Sequence, residues 1–430
     1  MVGSAEEWRL LLAGFATAFS HPSFMLFVRL TTAWALCPGR HTLTRLYQIA
    51  EPSQQKAHDA YHRFVREGAW RMSTLWELLA RLLVKAFYPQ GDIPVDLDDT
   101  VFHKTGRKVA QAAWWRDAVR STGERVVHCF GLNLVLLTLR VHAPWGGEPL
   151  GLPVNMRLHR KKGPTLLDLA EEMTREFAGW FPNRRIQLSA DGFYAPLAGR
   201  TMPQVYLTSR MRRDAALYAP PPPRRKGARG RPRKRGRRLP TPEQLAETQH
   251  GWRKVSVNIR GKPAKRLVLV RDVLWYAVCP QRPVRLVISR DPEGKEHDDF
   301  FFTTDPTATA EIVVGSYAGR WSIEDTFRNV KQLLGGQDPQ TWKHQGPERA
   351  AAFSFWMYSI IWLWYVQTYG CRRSWLPLPW YPGKRSPSFA DALAALRRAL
   401  WAERLFPHSD KRALPRKITA VILNVLATAA

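Results

Sequence analysis

Tyr317, Arg320, Glu324 and Lys331 stand in the spacing Y-x2-R-x3-E-x6-K within the run YAGRWSIEDTFRNVK. Ser322 followed by Asp325 has the form of a capping box, so a helix is predicted to begin near Ser322. On that helix Glu324, Arg328 and Lys331 fall at i, i+4 and i+7, on one face. A carboxylate held beside cations suits a site that grips a metal and a phosphate together. A solvated, salt-bridged surface helix carries the same stripe, so the decision falls to the acids elsewhere in the chain.

Two further acidic positions have the right context. Asp98, with Asp99 beside it, follows the strand pattern Ile93–Leu97, and Asp191 follows the strand pattern Arg185–Ala190. Carboxylates at the ends of strands in one sheet converge even when they are distant in sequence. Taken singly, each acid reads as a turn, cap or first-turn residue. Taken together, Asp98, Asp191 and Glu324 suit two hard divalent cations, Mg2+ with Mn2+ as a substitute, in an in-line phosphoryl transfer.

The elements that must position these acids follow from periodicity. Residues 1–90 read as helical, with apolar residues at helical spacing in Trp8–Phe19, Phe24–Leu36 and Thr74–Phe87. Between them, two short helical stretches around Glu51-Pro52-Ser53 have a helix-turn-helix outline, which is common and mostly structural. From 91 to 211 strands alternate with a helix that Thr165 caps, the texture of an α/β sheet. Residues 212–304 read as an inserted antiparallel β module, with strands expected at Trp252–Ile259, Arg266–Val270, Trp275–Cys279, Val284–Ser289 and Asp299–Thr303. The α/β region resumes over 305–372, and 373–430 is a Pro-rich then helical end.

The chain has 430 residues and a formal charge of +29, a balance that points to a polyanion and above all to nucleic acid. Within the Pro/Arg-rich loop 219–240, Arg224–Arg238 carries ten Lys/Arg in fifteen residues with no acid. It contains Arg229-Gly230-Arg231-Pro232, an AT-hook-like core suited to a narrow minor groove, followed by Arg233. A generic basic loop that steers DNA by charge fits the same residues. Four cysteines are scattered singly, and His58 and His62 lack a third ligand, so neither zinc nor a disulfide framework is expected. Ala350–Gly370 is uncharged and long enough to span a bilayer, but its Ser, Gln and Thr and the lack of a second span favour a buried helix over a membrane role. With Glu6, Glu7 and Arg9 near its start the chain reads as having no secretory leader, and a cytoplasmic, nucleoid-associated protein is expected.

The pieces VDLDDT (95–100), LSADGFY (188–194), QVYLTSRMR (204–212) and YAGRWSIEDTFRNVK (317–331) resemble, in order, those of DDE transposases of bacterial insertion sequences. The last motif is the mark of one group of them. The resemblance implies a ribonuclease H-like mixed sheet with a β-rich insertion before the Glu, plus an all-helical N-terminal domain that binds DNA. It implies Asp191 and Glu324 as catalytic metal ligands. The first acid falls on Asp98 if the pattern is D-x-T with Thr100, and on Asp99 if it is D-T. It implies DNA contacts by Tyr317, Arg320 and Lys331. Some members place a Trp before the last insertion strand to stack on a flipped base; here that place holds Asp299, with Trp275 as another candidate. The activity implied is metal-dependent cleavage at terminal inverted repeats of double-stranded DNA and strand transfer into target DNA, by a homodimer. The alternative is a ribonuclease H-like nuclease or DNA-binding protein without transposition. No GxxxxGK[ST] motif is present, which accords with transesterification.

Overall fold

The computed structural model describes residues 5–117, 120–223, 231–376, 379–405 and 416–428. Five helices come first: α1 (Ala5–Ala13), α2 (His21–Leu36), α3 (Leu43–Ala50), α4 (His58–Glu67) and α5 (Met72–Phe87). Then follow β1 (Ile93–His103), β2 (Ala113–Arg116), β3 (His128–Val141), β4 (Leu150–His159), α6 (Leu166–Trp180), β5 (Ile186–Ala190) and β6 (Val205–Arg210). A short α7 (Pro242–Ala246) leads to β7 (Arg253–Ile259), β8 (Lys262–Val273), β9 (Val284–Arg290) and β10 (Asp299–Thr303). The chain continues with α8 (Ala310–Gly319), α9 (Ser322–Leu333), α10 (Gly346–Tyr369), α11 (Phe389–Leu405) and α12 (Arg416–Thr428).

All ten described strands join one sheet, in the order β2-β3-β1-β5-β6-β10-β9-β8-β7, with β4 paired to β3. β3 and β4 run antiparallel to their neighbours, whereas β1, β5 and β6 are mutually parallel. This mixed α/β order is consistent with the expected ribonuclease H-like core. The inserted strands pair antiparallel among themselves and continue the same sheet through β10 on β6. Trp275–Cys279 is a turn, not a strand: the N–H groups of Val278 and Cys279 both donate to Trp275 O. A short apolar run before Pro280 has no period by which to tell the two apart.

Local sequence explains several elements. Thr165 and Asp168 form a complete capping box at the start of α6. From Ala350 onward α10 is uncharged and mostly apolar on every side, as suits a helix buried all round. Phe353, Trp356, Ile360, Leu363 and Trp364 are all buried, so the uncharged run lies in the core. No described helix is long and apolar enough to cross a membrane. The N-terminal helices do not have a core of their own. Trp8, Trp34 and Trp76 belong to the same continuous apolar cluster as the sheet residues Val95 and Leu188 and the α10 residue Trp356. Trp34 Nε1 donates to Leu334 O at the end of α9, which ties α2 to the helix that carries Glu324.

Candidate active site

The site is built where β1 and β5 part. The last rung between these parallel strands is Leu97 opposite Ala190, so the next residues, Asp98 and Asp191, emerge side by side. β5 ends there, whereas β1 runs on to His103 along β3. Alternation along β1 then sorts its acids by face. Asp96, Asp98 and Thr100 point toward α8 and α9, where they meet Ser322, Arg320 and Lys331. Asp99 points the other way and accepts a hydrogen bond of 2.9 Å from Tyr194 Oη. Asp191 caps the turn after β5: its Oδ1 accepts from Phe193 N at 3.0 Å, and Ser209 Oγ on β6 donates to its carbonyl at 2.7 Å. The capping reading of Asp191 thus holds alongside its place in the acid cluster.

Arg320 connects β1 to Glu324. Its guanidinium pairs with Asp98 and lies 3.9 Å from Glu324 Oε1. The Arg320 side chain is only 9% exposed, while Glu324 at 42% opens to solvent. Arg320 Nε is buried and has no hydrogen-bond partner among the described residues. Tyr317 packs in a tilted arrangement on Phe301 at 4.8 Å between ring centroids, with Arg320 and Arg210 each 5.5 Å over its ring. Lys331 Nζ donates to Thr100 Oγ1 at 2.8 Å. Asp98 thus lies beside Asp191, and Arg320 rather than direct carboxylate contact links Asp98 to Glu324.

Two parts of the expected helix differ. Ser322 does not cap α9. Arg320 and Trp321 already have right-handed helical backbone, so α8 runs almost directly into α9 and no cap is needed. The Ser322 hydroxyl is directed at Asp96 instead, at 3.5 Å. Arg328, on the same face as Glu324, is exposed and pairs with Asp325 rather than with Glu324. Arg231 and Arg233 are exposed on the basic loop, and Arg229 lies outside the described residues. Trp275 is buried edge-on against Phe302, so it is not open to a base, and Asp299 accepts from Arg210 at 2.8 Å.

Beneath the acids lies a support that sequence reasoning missed. Arg140 on β3 donates to both oxygens of Asp96, at 2.7, 3.1 and 3.2 Å, and also to Ser189 Oγ on β5 at 2.7 Å. Both partners of the pair are buried. Gly319 makes room for it: a Cβ there would fall 2.8 Å from Arg140 Cδ. Gly151 on β4 similarly lets α9 approach, since a Cβ would stand 2.9 Å from Ser322 Oγ, and Thr326 Oγ1 donates to Gly151 O at 2.6 Å. An Asp two residues before another in a strand, facing the same way, was the one available signal.

The electrostatics suit a cation. Burial pushes the Asp98 carboxyl up to about 7; the Arg320 charge opposes this, and the charges of Asp191 and Asp99 add to it. Burial also pushes Asp99 up to about 6, against the hydrogen bond from Tyr194 and with the charge of Asp191. Carboxylates that raise one another in a buried place are stabilised by a hard divalent ion, and an all-oxygen donor set fits Mg2+ or Mn2+.

Clustered acids on adjacent parallel strands of a mixed sheet, on a strongly basic chain, are the features of metal-dependent nucleases that act on DNA. The profile of the DDE superfamily endonuclease family matches residues 15–274, and the chain belongs to that family. The match spans Asp98, Asp99 and Asp191 and ends before Tyr317–Lys331. It begins within the N-terminal helices, which share their core with the sheet. No curated protein matches the chain.

Proposed function

We propose that this protein is a DNA transposase that cleaves the ends of an insertion sequence and joins the freed 3′-OH to target DNA. The observation that carries the reading is the meeting of Asp98 and Asp191 on adjacent strands with Glu324 brought to them by Arg320. Asp98, Asp191 and Glu324 would hold the metal ions, and Asp98 rather than Asp99 is the first acid because it faces Arg320 and α9. Bound Mg2+ or Mn2+ would activate the attacking oxygen and stabilise the leaving one.

The chain's own groups account for the rest. Arg320 holds Asp98 and Glu324 in register. Tyr317 and Lys331 line the approach to the same acids. The basic charge concentrates DNA near the site by phosphate attraction, without reading sequence. Hydrolysis and the following transesterification are each a displacement at phosphorus, and the second conserves the number of phosphodiester bonds. Two ends must be joined in one event, which calls for a homodimer on terminal inverted repeats.

The test uses Glu324→Gln, which keeps size and shape on a half-exposed side chain. With DNA carrying the element's own ends and Mg2+, the variant should lose cleavage by at least about a thousandfold while still binding that DNA. Cleavage at the parent rate by folded variant would end the assignment. Cleavage by the parent without joining of 3′-OH ends would end transposition but not the nuclease site.

A further inference from the structure

A second group of metal-type ligands comes together away from the three acids. His103 ends β1, Asp117 follows β2, and Cys129 is the second residue of β3. His103 lies opposite Gly131, and Trp115 lies opposite Cys129. Residues directly opposite share a face, and faces alternate with a period of two. His103 and Cys129 therefore share a face of β1 and β3, and Asp117, two beyond Trp115, joins them from β2. Asp117 N donates to Val127 O at 2.8 Å, which carries the β2–β3 pairing as far as this residue. Nitrogen, carboxylate oxygen and sulfur from the three residues all lie within 4.8 Å of one another. Among the described residues this is the one such cluster of three, tighter than the acids of the candidate active site.

We propose that His103, Asp117 and Cys129 form a binding site for a single Zn2+-class cation, separate from the Mg2+-type acids. A thiol and an imidazole favour a borderline-soft ion, whereas Mg2+ selects oxygen alone. Three protein ligands leave a fourth tetrahedral position for water, on the exposed side where His103 lies. Cys129 and Asp117 are buried, so the donors are held in place before the ion arrives.

The surroundings are built to the same end. Gly131 is needed for the approach, because a Cβ there would stand 2.2 Å from Phe102 O and keep β1 from closing on β3 beside His103. The Asp117 carboxylate is oriented by its own loop: Oδ1 accepts from Arg120 N at 3.1 Å, and Oδ2 lies 3.7 Å from the Arg120 guanidinium. Such outer contacts fix ligand direction in metal sites. Burial, aided by the Lys331 charge and opposed by that of Asp117, holds the His103 imidazole below its ordinary range. The ion would clasp the edge strand β2 to β3 and β1, within the field of Lys331.

Co2+ titrated into the full-length protein is the probe, with Zn2+ as competitor. The expected result is a thiolate-to-Co2+ charge-transfer band that saturates at about one equivalent and is displaced by Zn2+. Cys129→Ser should abolish the band. His103→Ala, at an exposed strand end, should weaken Co2+ binding by at least about tenfold even if the cysteine variant does not fold. Cys371→Ser and the pair Asp98→Asn with Glu324→Gln should keep the band, which separates this site from an adventitious thiol and from the acids. No thiolate band in the parent, or a band that survives in folded Cys129→Ser or is unchanged in His103→Ala, overturns the proposal. These outcomes do not depend on whether the protein transposes.

Discussion

If Asp98, Asp191 and Glu324 hold Mg2+ as proposed, lowering the pH through 7 should weaken its binding. The Asp98 carboxyl, raised to about 7 chiefly by burial, is mostly protonated at pH 6 and mostly ionised at pH 8. A metal competes with the proton for the same oxygens. One group that titrates at this point weakens apparent Mg2+ affinity about tenfold between pH 8 and pH 6, or about 1.4 kcal/mol. Stability should move in the opposite sense when no metal is added. A carboxyl whose folded value is raised contributes stability that is full below the ordinary carboxylate range and lost as pH rises to about 7. Saturating Mg2+ should reverse that slope. Thermal unfolding across Mg2+ concentrations at the two pH values, with calorimetric titration, measures both effects. Asp98→Asn should flatten the pH dependence of Mg2+ affinity, whereas Asp99→Asn should keep most of it while removing the part of the stability slope that Asp99 itself contributes below about pH 6. Equal Mg2+ affinity at both pH values in the parent, or a full slope in Asp98→Asn, would refute the reasoning.

Two other outcomes follow from the support and from the surface. Arg140→Met strands Asp96 without its buried partner and should cost about 3–5 kcal/mol, or a fall in Tm of about 3–6 °C. Asp96→Leu with Arg140→Met should recover most of it, and a Tm within about 2 °C of the parent for the single variant would show that the pair does not brace the site. Replacing the exposed Arg231 and Arg233 by Ala should leave the fold intact and make the salt dependence of DNA binding shallower, by roughly 0.9 in log–log slope for each phosphate no longer neutralised. An unchanged slope across a salt series would remove these arginines from the DNA-binding surface.

Local patterns were legible where the cause is local. The box of Thr165 and Asp168 starts α6 because the two residues satisfy each other's backbone groups within one turn. The uncharged run after Ala350 is buried because no face of it can be left to water. The strand pattern that stops at Ala190 matches the end of β5, just before Asp191. The one that stops at Leu97 does not match the end of β1, which runs on to His103 because β3 pairs with it that far; only the rungs to β5 stop at Leu97. Short pieces were not legible. β2, Ala113–Arg116, has four residues and is a strand only because β3 lies beside it. Ser322 looked like a cap because sequence does not reveal that the helix before it continues through Arg320 and Trp321.

The order of residue types along this chain determined which acids are available, that they follow strand or begin helix patterns, and that the surface seeks a polyanion. Tertiary structure decided which way they face. Asp98 and Asp99 are adjacent in sequence, and one residue of strand turns a side chain to the opposite face, so no local pattern separates them. Arg320 separates them, because it reaches β1 from the end of α8 and meets only the side on which Asp98 stands. The same logic holds for His103, Asp117 and Cys129, which have no motif spacing and are joined by the pairing of three strands. It holds also for the first ninety residues, whose helical faces are plain in sequence but whose partner is the core of the sheet. Burial and long-range pairing are properties of the folded chain, and they alone bring side chains this distant to one place.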